Sequence, residues 1–201
     1  LIMDDNSPDG TGEWSQEQAQ ARDDFFCVQR SGKLGLGTAT IATMQFAIEH
    51  GYRFLINMDA DRSHPAAKLP ELVAAAEDVD VAVASRYVPG GQVVGWPLHR
   101  RLMSRCVNGY ARWALQLPTK DCSGSYRCYR VAKLEEIALD QVRSKGYSFF
   151  EEILWRLRHA GATFVEVPIT FQDRELGKSK INLREAMNAL KIIASLAFQN
   201  P

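Results

Sequence analysis

The stretch Tyr52-Arg53-Phe54-Leu55-Ile56-Asn57-Met58-Asp59-Ala60-Asp61-Arg62-Ser63-His64-Pro65 decides how the rest of the chain is read. Its first part is short, apolar and bounded by Gly51, which reads as a buried strand. Asp59 and Asp61 therefore emerge where a strand stops and a loop begins. Alternation along an extended chain puts both carboxylates on one side. Two acids that close repel each other unless a cation lies between them or one takes up a proton. Magnesium or manganese suits such a place, because hard cations take oxygen ligands and share them with a substrate's phosphates. An Asp-x-Asp by itself also fits a solvated acidic turn, so its surroundings have to decide.

Upstream, Leu1-Ile2-Met3 reads as a strand ending in Asp4-Asp5-Asn6-Ser7-Pro8-Asp9-Gly10, a run of turn formers. A helix carrying Glu13, Trp14 and Glu17 follows, then a strand at Phe25-Phe26-Cys27-Val28. A glycine-rich loop, Ser31 to Gly37, precedes a helix from Thr38 to about His50, with Gly51 as its C-terminal cap. Downstream, Pro65 and Pro70 bracket the start of a helix through Ala76, and Val79 to Ser85 is a continuous apolar strand. This alternation predicts an α/β fold with a mostly parallel sheet. Ligands of such sheets bind beyond the carboxyl ends of the strands, where Asp4-Asp5, Gly32 to Gly37, Asp59-Asp61 and Arg86 all fall.

The second half reads as a long helix from Leu98 to Leu115, a strand at Gly124 to Tyr129 and an amphipathic helix from Tyr147 to His159. A strand at Thr163 to Phe171 follows, its Pro168 marking an edge or a bulge, and the last helix runs from Asn182 to Phe198. On the long helix Arg101, Arg105 and Arg112 fall within about 40° of one another, opposite the Met103-Cys106-Tyr110-Trp113 side. That face is either solvated or functional. The last helix, apolar from Ala186 to Phe198, either packs on its own core or lies on a membrane surface. The whole chain reads as one domain.

The 201 residues are 46% hydrophobic and 24% charged, with 24 cations against 24 anions, a soluble composition that argues against bulk nucleic-acid binding. Cys27, Cys106, Cys122 and Cys128 show neither C-x-x-C nor zinc spacing and read as free buried thiols. No run approaches the roughly 20 apolar residues of a membrane span, and no signal peptide is visible.

Other chemistries fail on their motifs. Gly35-Leu36-Gly37 lacks the third glycine of a dinucleotide fingerprint, because position 40 is Thr40. There is no phosphate-binding G-x-x-x-x-G-K-[ST] and no G-x-S-x-G nucleophile elbow. The four histidines lack metal-ligand spacing. Two acids for a metal, several cations and no activated nucleophile suit a reaction in which both substrates carry phosphate. A metal stabilises a departing nucleoside diphosphate. A phosphate-monoester acceptor, whose second pKa is about 6, arrives already ionised and needs no base. Arginines hold such an acceptor through charge-assisted hydrogen bonds.

Several motifs together resemble the dolichyl-phosphate mannosyltransferases. They are Asp4 to Thr11, Gly32 to Ala39, Met58-Asp59-Ala60-Asp61, Ser85-Arg86-Tyr87 and Gly95-Trp96-Pro97-Leu98. Arg100-Arg101, Ser104-Arg105, Gly124-Ser125-Tyr126-Arg127 and Asp173-Arg174 through Gly177-Lys178-Ser179-Lys180 continue the series in the same order. The resemblance implies an inverting family 2 glycosyltransferase with a GT-A fold, a Rossmann-like sheet with helices on both faces. It implies transfer of mannose from GDP-mannose to dolichyl or polyprenyl phosphate at the cytoplasmic face of a membrane, peripherally or through a membrane-anchoring partner. Rival readings are a related transferase using UDP-glucose or another nucleotide sugar on undecaprenyl phosphate, and a nucleotide-sugar-binding module without turnover.

Residue by residue, the resemblance places Asp5, Asp59 and Ala60 at the nucleotide, Asp61 on Mg2+ or Mn2+ with Asp59 beside it, and Ser63 as a weaker metal-side ligand. Arg86, Arg100 and Arg101 fall in the region that handles phosphates. Arg174 and Lys180 belong to a loop that closes over the substrates. The catalytic set so implied is Asp59, Asp61, Arg101 and Arg174. The family's first strand and nucleotide-base loop are expected ahead of Leu1. Arg62 stands where a leucine is usual, and Phe150 where a polar residue is common before Glu152.

Overall fold

The computed structural model describes residues 1–144, 146, 148–173 and 183–199, with the backbone alone for 183–186. Among them the chain runs β1 (Ile2–Asp4), α1 (Thr11–Ala21), β2 (Cys27–Gln29), α2 (Leu36–Glu49), β3 (Phe54–Asn57), α3 (Leu69–Ala76), β4 (Val81–Ser85) and β5 (Gln92–Val94). It continues through α4 (Leu98–Ala114), β6 (Arg127–Arg130), α5 (Val131–Leu134), α6 (Phe149–His159), β7 (Phe164–Pro168), β8 (Thr170–Gln172) and α7 (Leu183–Ala197).

The central sheet has the order β3-β6-β4-β7. β4 is buried at all five positions, as an unbroken run of small apolar residues requires when both faces are covered. Its alternation divides the core. Val81 and Val83 join Tyr129 and the apolar sides of α2, α4, α6 and α7, while Ala82 and Ala84 join Cys128, Tyr126 and the α3 residues Leu72 and Ala76. Helices therefore cover both faces. β4 and β7 run parallel, as do β1 with β2 and β5 with β8. β6 is antiparallel to both its neighbours, so the central sheet is mixed, with one parallel pairing against two antiparallel ones, and the two smaller strand pairs are parallel.

The antiparallel strand positions the site. Because β6 runs backwards, the segment that leads into it, Asp121 to Tyr126, arrives at the same edge where β3 and β4 end. A second departure from the sequence reading lies at Pro168. The stretch Thr163 to Phe171 is two strands rather than one: β7 stays in the central sheet, and after buried Ile169 the chain pairs as β8 with β5. Proline lacks the N–H needed to continue a ladder on both sides, and the strand changes sheets there. β5 itself carries no clear signal in the sequence.

Gly51 has φ 65 and donates its N–H to the Ile48 carbonyl, closing α2 as expected. Only two of the four cysteines, Cys122 and Cys128, are buried; Cys106 is exposed on α4, and all four are free. On α4 the side opposite the arginines splits: Met103 and Tyr110 are half-buried, while Trp113 is 77% exposed. α7 packs against α4 and α6 through buried Ala189, Ile193 and Leu196, which is the core role for that helix. No helix among the described residues is long and apolar enough to cross a membrane.

Candidate active site

The loop after β3 is built by its own polar residues. Asp61 Oδ1 accepts from both the backbone N–H and the hydroxyl of Ser63, a local Asx-type turn. Between them Arg62 has φ 63, the left-handed region that a bulky side chain rarely occupies. The Asp59 N–H donates to His64 Nδ1 at 3.0 Å, so the imidazole proton sits on Nε2. Burial lowers the His64 pKa, against the opposing charge of Asp59, and the ring stays neutral. It stacks on Tyr126, 5.0 Å between centroids.

The β6 lead-in meets this loop directly. Ser125 donates its hydroxyl to Asp59 Oδ1 at 2.8 Å, and Asn57 Nδ2 donates to the Ser125 carbonyl at 3.0 Å. One carboxylate of the pair is thus oriented by the end of β3, by the start of β6 and by the turn itself. Asp59, Asp61, Ser63 and Ser125 present only oxygen atoms. No three His, Cys, Asp or Glu side chains gather as a metal cage among the described residues. Such a donor set fits Mg2+ or Mn2+ held by one or two carboxylates, the remaining positions going to substrate phosphate and water. His64 is already committed through Nδ1 and takes no part.

A cationic side faces the same edge. Arg86, directly after β4, is 9% exposed. It donates Nε and Nη2 to the two oxygens of Asp121 at 2.7 Å each, and Nη2 also reaches Ser123. Burial alone pushes the Asp121 carboxyl up, yet the Arg86 charge and hydrogen bonds outweigh it and hold the pKa below the usual range. Arg100 forks onto Asp173 at 3.0 and 3.2 Å, its Cζ 4.0 Å from the Trp96 ring centroid. Arg101 donates Nε to the Trp96 carbonyl at 3.0 Å and makes no ion pair among the described residues. Trp96, Phe171, His64 and Tyr126 form a chain of ring contacts that ties this side to the Asp59 loop. Gln172 N–H to the Ser63 carbonyl, 3.3 Å, adds a backbone tie.

The sequence matches the family described as Glycosyl transferase family 2 over residues 1–138. The chain belongs to glycosyl transferase family 2. Among relatives of this family-2 chain, the polyprenol monophosphomannose synthase of Mycolicibacterium smegmatis is 45% identical over 192 residues, 93% of this chain and 72% of that protein. The undecaprenyl-phosphate mannosyltransferase of Micrococcus luteus is 43% identical over 182 residues, 90% of this chain and 75% of that protein. The mixed α/β architecture agrees with the GT-A fold of family 2.

In this family-2 domain Asp59, Ala60, Asp61 and Ser63 share one loop; Arg86 and Arg100 lie at the Trp96 ring, which contacts Phe171 and through it His64, and Arg101 bonds the Trp96 carbonyl. Asp5 keeps other company. It pairs with Arg30, whose guanidinium also reaches Thr38 and the Gly35 carbonyl and so ties the loop after β1 to the glycine-rich loop. Arg174 and Lys180 lie outside the described residues. Trp96, 6% exposed, is a packing residue with both the Arg86 and Arg100 guanidiniums near its ring. Sequence reasoning did not select Ser125, Asp121 or Asp173 as site residues. Ser125 stands in the quoted run Gly124-Ser125-Tyr126-Arg127, so a signal existed; Asp121 sits in an unremarkable loop and had none.

Proposed function

We propose that this glycosyltransferase moves mannose from GDP-mannose to a polyprenyl phosphate with inversion, working with Mg2+ or Mn2+ peripherally at the cytoplasmic face of a membrane. The observation that carries the reading is similarity over nine-tenths of the chain to two enzymes, one named for polyprenol monophosphomannose synthesis and one for mannosyl transfer to undecaprenyl phosphate. The paired carboxylates at the end of β3 and the facing arginines supply chemistry that suits it.

Asp61 and Asp59 are the metal-side residues, with Ser63 bracing Asp61 and Ser125 fixing the rotamer of Asp59. The metal, when bound, neutralises charge that builds on the departing diphosphate. Arg101 is the cation best placed to take a phosphate oxygen, because Arg86 and Arg100 are each forked onto a carboxylate. Those two act as rigid struts for the wall of the site and add positive potential to it. Asp5 and Ala60 belong to the nucleotide side, and Arg174 and Lys180 to the covering loop. The acceptor phosphate is ionised at neutral pH and attacks the anomeric carbon in line. No residue here has to remove a proton from it.

Calorimetric titration of GDP-mannose, GDP and UDP-glucose with and without Mg2+, beside a transfer assay on a polyprenyl phosphate, tests the reading. Guanine-selective binding that depends on metal, with mannosyl transfer lost in Asp61→Ala, is the expected result. UDP preference moves the chain to the other sugar class, and metal-independent turnover in Asp61→Ala overturns the metal assignment.

A further inference from the structure

The two acids that follow β1 have different roles. Asp4 is 3% exposed; its Oδ2 accepts the Ser7 N–H at 3.1 Å, and a side chain at Gly12 of α1 would meet that oxygen at 2.7 Å. Asp5 keeps 26% of its side chain exposed. Arg30 takes its Oδ1 at 2.5 Å, and its Oδ2 makes no hydrogen bond among the described residues. Asp4 therefore closes the turn under α1, and Asp5 is the acid with an oxygen left for a ligand.

What fixes that oxygen is Arg30, directly after β2. Its backbone N–H donates to the Asp4 carbonyl at 2.7 Å and so extends the β1–β2 pairing by one residue. Only a tenth of its side chain is exposed. The guanidinium reaches three segments: Nε donates to Asp5, Nη1 to the Thr38 hydroxyl at 2.8 Å and Nη2 to the Gly35 carbonyl at 3.4 Å. Thr38 donates in turn to the Gly35 carbonyl at 2.8 Å. Gly35, at φ 100, is where the glycine-rich loop becomes α2. A planar fork holds these acceptors in fixed directions, which an ammonium on a flexible stem does not. A carboxylate held through one oxygen presents the other in one direction, and it can only accept, so its ligand must bring N–H or O–H donors. Asp5, Arg30 and Gly35 all follow the carboxyl ends of β1 and β2, the edge at which open α/β sheets bind ligands.

We propose that Arg30 is a positioning residue for the nucleoside half of the donor: it locks the Asp5 carboxylate to the glycine-rich loop, so that Asp5 Oδ2 accepts from the N–H or O–H groups of the nucleoside. Arg30 acts through Asp5 and does not itself touch the donor. The inference rests on the reading of the chain as a nucleotide-sugar transferase with Asp5 on the nucleotide side.

The test is a double-mutant cycle read by calorimetric titration of GDP with Mg2+ into the full chain. Arg30→Gln and Asp5→Asn are each expected to weaken binding about ten-fold. The double variant is expected to be no more than about two-fold weaker than the worse single one, because the second change has nothing left to disturb. Arg30→Lys regains part of the loss. In transfer assays Arg30→Gln is expected to raise KM for the sugar nucleotide by a similar factor, with kcat and KM for the polyprenyl phosphate nearly unchanged; a merely loosened fold moves all three. If Arg30→Gln does not fold, Thr38→Val, which removes only the Nη1 acceptor, carries the same cycle with a smaller loss. A coupling that persists with 2′,3′-dideoxy-GDP assigns the contact to the base, and one that vanishes assigns it to the ribose; either upholds the role of Arg30. Losses that multiply in the double variant, undiminished GDP affinity in folded Arg30→Gln, or an equal rise in both KM values overturns the proposal alone. UDP preference with the same coupling upholds it and changes only the donor. A wild type that binds neither nucleotide overturns the functional reading and the proposal together.

Discussion

The Arg86 guanidinium and the Asp121 carboxylate meet fork to fork, two bonds of 2.7 Å, with the Arg86 backbone N–H making a third to Asp121 at 3.0 Å. Both side chains are almost wholly buried, so each is tolerable only because of the other. Asp121→Ala leaves a buried guanidinium with Ser123 as its remaining hydrogen-bond partner among the described residues and only aromatic rings otherwise around it. Its unfolding free energy is expected to fall by about 3–5 kcal/mol. Urea denaturation measures this, with Asp121→Asn expected between the alanine variant and wild type.

Ser125 holds Asp59 from the segment leading into β6, 66 residues further along the chain. Replacing it with alanine removes one hydrogen bond at a partly exposed site, a stability loss of about 1 kcal/mol. The effect on transfer is expected to be larger than that on folding, roughly ten-fold, the equivalent of about 1.4 kcal/mol in the barrier. Ser125→Thr retains the hydroxyl and most of the rate. Steady-state kinetics on the three proteins, alongside their melting curves, separates orientation of Asp59 from general loosening.

Arg62 occupies φ 63 between the two halves of the Asp61–Ser63 turn. Left-handed backbone costs a side chain about 1–2 kcal/mol, and glycine escapes that penalty. Arg62→Gly is therefore expected to melt at or above the wild-type temperature, by up to about 1 kcal/mol once glycine's extra chain entropy is counted. Arg62→Val, branched at Cβ, is expected to melt lower. A glycine variant that melts well below wild type shows that the arginine side chain itself braces the turn.

Glu151 supplies a pH test. It is 2% exposed at the start of α6, and its Oε2 has no hydrogen-bond partner among the described residues. Burial pushes its carboxyl up to about 7, helped by the Asp121 charge and opposed by Arg127 and Arg86. The folded protein thus keeps a proton that the unfolded chain releases near its ordinary value of 4.5. Stability contributed by this group is full below that value and falls as pH rises to about 7, where it levels. The whole fall amounts to roughly 3 kcal/mol. Denaturation of wild type and Glu151→Gln across this range checks it: the glutamine variant is expected to lack that slope.

Local pattern was enough to find most elements. The run Val81 to Ser85 could only be a doubly covered strand, and Gly51 could only end a helix where it does. The polar turn from Asp59 to Ser63 was equally visible, because its chemistry sits within five residues. What stayed hidden depends on pairing across long separations. Nothing local in Arg127 to Arg130 says that this strand inserts antiparallel between β3 and β4, and without that fact Ser125 and Asp121 have no reason to stand beside Asp59 and Arg86. The exposure of Trp113 was hidden for a related reason. Helical spacing places it between the arginine face and the packed face, and only the position of α7 shows which side is left open.

The order β3-β6-β4 has a consequence for how the molecule comes into being. Until Arg127 to Arg130 are made, β3 and β4 stand two strand spacings apart, about 9.5 Å, with nothing bridging them. A ribosome-bound chain that has emerged only as far as α4 thus holds β3 without its partner β6 and β4 without either of its neighbours, β6 and β7. Assembly waits for a partner translated 70 residues after the end of β3, counted from Asn57 to Arg127. The bridge between β3 and β4, the Ser125 bond to Asp59 and the arginine fork then form together, and β7 completes the sheet after them.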